Sequence, residues 1–227
     1  MFLPRLFIHI PKNAGTTVRL SPALMGKVIE ANPKNHISKK YTQELTDTMR
    51  KQGDHHGYNH ARWRDIKPSV RTGHQCFAVA RNPWDRVVSR YFFAKKVIEV
   101  EKKEPVGKYK IDSFEHFLEE RHEWGGKPYQ WHRAIRGWYP AADYVTDEDG
   151  KLRCDMLRFE NLDADLCRYF NIPKMDRHRN VTGLNKGTYM DLYTPETIQI
   201  VADWYKDDID MWGYDFDTGA KRNIWTV

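Results

Sequence analysis

Leu6-Phe7-Ile8-His9-Ile10-Pro11-Lys12-Asn13-Ala14-Gly15-Thr16-Thr17 decides how the rest of the chain is read. Phe7, Ile8 and Ile10 make a β-prone apolar run. Pro11 and Gly15 punctuate it, and Thr16 and Thr17 stand where a helix cap belongs, with Arg19 and Leu20 to continue the helix. The stretch predicts a strand, a tight loop and a helix start. Such a junction leaves backbone N–H groups unpaired at the helix N-terminus, where the helix dipole favours an anion. Lys12 adds a positive charge on a flexible stem. The segment from Lys12 through Asn13, Ala14, Gly15, Thr16 and Thr17 therefore reads as a phosphate-binding loop. It departs from G-x-x-x-x-G-K-[ST], in which Lys follows the second Gly, because Lys12 precedes the only Gly here.

A second junction of the same kind lies downstream. Cys76-Phe77-Ala78-Val79-Ala80 is a short continuous apolar run, as a buried parallel strand requires. Arg81-Asn82-Pro83-Trp84-Asp85-Arg86-Val87-Val88-Ser89-Arg90-Tyr91 follows it. Pro83 suits the first turn of a helix. Trp84, Val87, Val88, Tyr91 and Phe92 then share one face, and Arg86 and Ser89 lie off it. Arg81 and Ser89 form a second candidate anion site, again at the C-terminal edge of a strand, where ligands of open α/β sheets bind. Two such sites on adjacent strand ends suit a nucleotide with both a 5′ and a 3′ phosphate. The plainer reading leaves Lys12 in solvent and pairs Arg81 with Asp85 or Asp65.

The rest of the chain fits one α/β domain over residues 1–227. Hydrophobic residues make up 40% and charged ones 30%, a globular balance that excludes a disordered chain. A net charge of +6 suits a polyanionic ligand. Three widely spaced cysteines without a C-x-x-C suggest neither a disulfide framework nor a zinc site, and favour a reducing, cytoplasmic setting. No apolar run is long enough to span a membrane.

Further elements are expected along the chain. Residues 31–57 read as a polar surface excursion with a short helix near Thr42 to Arg50. Ser113 caps a helix with Phe114, Phe117 and Leu118 inside, which Gly125, Gly126 and Pro128 end. Asp143 to Thr146 and Leu152 to Phe159 read as two strands joined by a turn at Asp147–Gly150. A helix follows over Asp165 to Phe170. Thr194 and Pro195 start one long last helix with Ile198, Val201, Ala202, Tyr205, Ile209 and Trp212 inside, ended by Gly213. Phe216 and Trp225 pack the tail back. Arg158 and Glu160 are read as an ion pair.

The two loops resemble those of the sulfotransferases. Pro11-Lys-Asn-Ala-Gly-Thr-Thr17 is similar to their 5′-phosphosulfate loop, and Arg81 to Tyr91 to their 3′-phosphate segment. The resemblance is nearest to the carbohydrate sulfotransferases of the chondroitin and HNK-1 type and their bacterial relatives. It continues through His60-Ala61, Gly150-Lys-Leu152, Arg158-Phe-Glu-Asn-Leu162, Leu184-Asn-Lys186 and Tyr193-Thr-Pro-Glu196 to Tyr214.

The resemblance implies a P-loop-like fold, a central parallel sheet flanked by helices. It also implies the donor 3′-phosphoadenosine 5′-phosphosulfate and a hydroxyl acceptor, expected to be a carbohydrate, with no metal. Lys12 would contact the 5′-phosphate and bridging oxygen, Gly15, Thr16 and Thr17 would cradle that phosphate, and Arg81 and Ser89 would hold the 3′-phosphate. Apart from the resemblance, Lys186, in a Gly-containing loop before the last helix, is a candidate to close over the donor, with a solvated turn as the alternative reading. His60 is the expected base, with His55 and His56 as rivals; a metal site on His56 and His60 lacks a third ligand at a convincing spacing. Gln130, Trp131, His132 and Arg133 are candidates for an acceptor cleft.

Two other classes compete: a small-molecule kinase, which lacks G-K-[ST] and an evident Mg²⁺-holding acidic motif, and a nucleic-acid-binding module, suggested by aromatics interleaved with Arg at Trp131 to Tyr139.

Overall fold

The two apolar runs lie side by side as parallel strands in the computed structural model, which describes residues 3–31, 34–52, 58–100, 110–119, 121–124, 127–130, 139–175, 189–217 and 219. The strands are β1 (Arg5–Phe7), β2 (Val28–Glu30), β3 (Cys76–Ala80), β4 (Arg121–Trp124), β5 (Lys127–Gln130) and β6 (Asp155–Arg158). The α-helices are α1 (Gly15–Leu20), α2 (Lys39–Gln52), α3 (Pro68–Arg71), α4 (Pro83–Lys95), α5 (Phe114–Glu119), α6 (Ala141–Val145), α7 (Leu162–Phe170), α8 (Pro195–Trp204) and α9 (Lys206–Trp212).

The main sheet has the order β2-β1-β3-β6, parallel throughout. Leu6 pairs with Cys76 and Phe7 with Phe77, while Phe77 through Ala80 pair with Asp155 through Arg158. Every residue of β3 is buried, because helices cover both of its faces. The period of two sorts its side chains. Phe77 and Val79 join Phe7, Val18, Leu157, Leu166 and Phe170 in one apolar cluster. Ala78 and Ala80 join Leu6, Ile8 and the inner face of α4 in the other, where small side chains let a helix come close.

α4 begins where Pro83 and its neighbours predict. Asn82 caps it, its side chain accepting from the N–H groups of Trp84 and Asp85. α5 likewise starts under the Ser113 cap, whose hydroxyl accepts from the His116 N–H at 3.1 Å. Thr194 and Pro195 start α8 with a reciprocal cap to Thr197.

The structure corrects several expectations. Asp143 to Thr146 is not a strand. Ala141–Val145 is helical, and only a single bridge joins Thr146 to Leu152. The reason is distant in sequence: the buried Asp208 carboxylate accepts from the N–H groups of Ala141 and Ala142 at 2.8 Å each, capping α6. β6 pairs instead with β3. Past α5, a β4–β5 hairpin stands where the sequence predicts only a helix end. The last long helix breaks at Tyr205 into α8 and α9, and Gly213 ends it in the left-handed region. Arg158 pairs with Asp165 at 2.7 Å, not with Glu160. Phe216 does pack back, edge-on to Trp84, Tyr189 and Tyr193, while Trp225 lies outside the described residues.

Candidate active site at the strand ends

The loop between β1 and α1 is held in a conformation that L-residues resist. Lys12 has φ 68° and Ala14 φ 59°, both left-handed. Such backbone costs energy and persists only where neighbours over-determine it. Here several hydrogen bonds strap the loop. The fully buried Asn13 side chain donates from Nδ2 to the Val79 carbonyl at 2.7 Å. Arg81 Nη1 donates to the Lys12 carbonyl at 2.7 Å, and Arg86 Nε donates to the Pro11 carbonyl at 3.1 Å. Asn13, read from sequence among the donor contacts, points its side chain inward; its contribution is to the shape of the loop.

Ala14 is the N-cap of α1 and supplies no side-chain cap, and the first turn carries no acidic residue. The first N–H groups of the helix therefore meet no carboxylate from that turn. Gly15 cannot carry a side chain: a Cβ there would stand 1.7 Å from His9 Nε2. Thr17 is buried and Thr16 half-buried.

Lys12 Nζ rests over the Phe93 ring, 4.5 Å from its centroid. Burial lowers its pKa to about 7, and the positive charges of Arg81, Arg90 and Lys96 add to the shift. An arriving anion would favour the charged form again.

Arg81 is buried and stacks over Phe159 at 4.1 Å. Asp85 takes its Nε and Nη2 donors at 2.8 Å each. The plainer pairing weighed from sequence is thus present, and Asp85 and the Lys12 carbonyl together engage three of the five guanidinium donors. Asp85 holds the side of the fork while the stack on Phe159 fixes its plane. Ser89 lies further along α4, buried. Glu160, which follows β6, accepts from the Asn82 N–H at 2.6 Å. Burial pushes its pKa up, and its second oxygen has no hydrogen-bond partner.

His60 closes a 3-10 turn, Tyr58–His60. Its Nδ1 lies 2.9 Å from the His9 carbonyl. A carbonyl only accepts, so Nδ1 carries the proton and the lone pair sits on Nε2. The His9 and His60 rings are 4.3 Å apart.

The structure brings together Lys12 through Thr17, Arg81 and, by way of His9, His60. Lys186, His55, His56, Trp131, His132 and Arg133 lie outside the described residues, and of Gln130 only the backbone, paired with Arg121, is described. Sequence reasoning missed His9 and Asp208. The signal for His9 was a polar ring inside Phe7-Ile8-His9-Ile10. Among the described residues no three His, Cys, Asp or Glu gather as metal ligands, and no helix is long and apolar enough to cross a membrane.

No curated protein and no solved structure gives a match. The family model of the sulfotransferase family matches residues 5–215. That span holds both strand-end loops, His60 and the paired last helices, and the chain belongs to the sulfotransferase family.

Proposed function

We propose that the protein moves a sulfuryl group from 3′-phosphoadenosine 5′-phosphosulfate to a hydroxyl of a carbohydrate acceptor, in the cytoplasm. The observation that carries this reading is the bond from Arg81 Nη1 to the Lys12 carbonyl. It ties the two anion loops into one surface, as a ligand with separated 5′ and 3′ phosphates demands. The donor supplies the sulfuryl group and a phosphate leaving group.

The chain's residues do the rest. The α1 N-terminus and Lys12 receive the 5′-phosphate. Arg81 and Ser89 take the 3′-phosphate, and Lys186 closes over the nucleotide. As the bond from sulfur to the leaving oxygen breaks and the bond to the acceptor oxygen forms, Lys12 offsets the charge growing on the leaving oxygen. His60 Nε2 takes the acceptor's proton. By analogy with phosphoryl transfer, such a step needs positioning and charge stabilisation more than covalent help. The strapped loop supports this reading, because its donors are aligned before the ligand arrives. The free thiols of Cys76, Cys154 and Cys167 suit a reducing compartment.

Calorimetry with adenosine 3′,5′-bisphosphate tests the proposal. The wild-type protein should bind it, Lys12→Ala and Arg81→Ala should each weaken binding by about tenfold or more, and His60→Ala should bind normally yet lose turnover. Absence of binding by the wild-type protein would sink the reading. A transfer assay with radiolabelled donor against glycans and small alcohols then tests the acceptor class.

A further inference from the structure

His9 has no task in the scheme above, yet its ring sits between the two halves of the site. The Phe7 ring stacks on it at 5.5 Å with an interplanar angle of 21°. Its Nε2 edge stands over Gly15, so close that any Cβ would collide. Asn59 Nδ2 lies 3.3 Å from its Nδ1. An amide nitrogen only donates, so His9 Nδ1 accepts and the His9 proton sits on Nε2. The His60 ring lies beside it, 4.3 Å away between centroids.

We infer that His9 is a positioning residue for His60: it grips the Tyr58–His60 turn at two consecutive residues and thereby fixes which nitrogen of His60 receives the acceptor's proton. This rests on the reading of His60 as the base. The first grip is the His9 carbonyl on His60 Nδ1. The second is His9 Nδ1 on the Asn59 amide. One residue thus touches the phosphate loop through Gly15 and the base-bearing turn through Asn59, and sets the spacing between leaving group and base.

The grip requires a neutral imidazole. A protonated His9 would lose the Asn59 bond and put a charge 4.3 Å from the ring that must itself become positive. Burial, His60 and Arg19 all push the His9 pKa well below its ordinary value, in keeping with that requirement. A phenylalanine would serve equally as a stacking wall. What histidine adds is the acceptor at Nδ1.

That difference makes the test. Asparagine carries an oxygen near the position of Nδ1, whereas phenylalanine keeps the stack and loses the acceptor. His9→Phe and Asn59→Ala should lower kcat about tenfold, with the Kd of Asn59→Ala for adenosine 3′,5′-bisphosphate within about twofold of wild type. His9→Asn should keep kcat within about threefold. Nitrogen-15 NMR of the imidazoles gives a readout apart from activity. His60 should show the Nδ1–H tautomer in wild type and His9→Asn, and a tautomer mixture in His9→Phe and Asn59→Ala. Should His9→Phe fail to fold, Asn59→Ala carries the same test from the partner's side. Equal kcat in His9→Phe and His9→Asn, or an unchanged tautomer in Asn59→Ala, overturns the inference. If His60→Ala keeps full turnover, the base assignment falls, and the NMR comparison still decides the grip.

Discussion

Lys12 is where the charge and the backbone of the site meet. Its pKa near 7 means that a ligand-free molecule at neutral pH carries it only partly charged. Anion binding favours the ammonium, so binding takes up protons and weakens as pH rises above about 7. Titrating adenosine 3′,5′-bisphosphate at pH 8 in buffers of different ionisation enthalpy should reveal that uptake in wild type and not in Lys12→Met. Gly15 gives a second expectation at this scale. Gly15→Ala puts a methyl into the His9 ring, and overpacking of this kind costs about 1–3 kcal/mol. Thermal unfolding should register the loss, and the variant should bind the nucleotide poorly because the loop or His9 must move. The sequence made Lys12 and Gly15 legible as loop residues. It did not show that Asn13 turns inward, because that depends on the Val79 carbonyl, which a linear reading does not place beside it.

At the scale of elements, what was legible followed local chemistry. β3 and α4 were readable because a continuous apolar run, an Asn-Pro start and a helical stripe all agree. The Asn82 cap is local too, and Asn82→Ala should cost about 1 kcal/mol in chemical denaturation. α6 was misread because Ala141–Val145 is only five residues long, too short for periodicity to separate helix from strand. Its decisive partner, Asp208, is 67 positions from Ala141 in the chain. Asp208 also faces the fully buried Arg86 at 3.9 Å, and Arg86 Nη1 donates to the Tyr139 carbonyl at 2.9 Å. Since Arg86 also holds the Pro11 carbonyl, one buried pair links α4, α6 and α9 to the phosphate loop. Asp208→Ala strips α6 of its cap and removes the carboxylate that faces the buried Arg86 charge, which should cost about 3–5 kcal/mol in urea unfolding.

Over the whole molecule, two desolvated groups oppose one another in the pH dependence of stability. Burial pushes Asp208 up to about 6, against Arg86 and the two N–H groups that favour its ionised form. The folded protein then holds more protons than the unfolded chain between about pH 4 and 6, so this group's contribution falls as pH rises through that window. Lys12 acts in the other direction. Its folded pKa lies below the unfolded one, so the unfolded chain binds more protons from about pH 7 to 10, and stability gains as pH rises there. The midpoint of thermal unfolding in wild type should therefore rise relative to that of Lys12→Met between pH 7 and 9. The overall α/β layout was legible because two strand–loop–helix signatures recur in one chain. The sheet order β2-β1-β3-β6 was not, since β2 is three residues long and half-exposed and carries little pattern.

The left-handed backbone at Lys12 and Ala14 has one more consequence. A loop of glycines would take that shape freely and leave it as freely. Strained L-residues bolted to β3 and α4 make a stiff cradle, which gives up little conformational entropy when a ligand settles into it. Its amide protons should report this stiffness: the Asn13 N–H, bonded to the Ile10 carbonyl, should exchange slowly with solvent deuterium in ligand-free protein. Ala14→Gly should speed that exchange and make nucleotide binding lose more entropy.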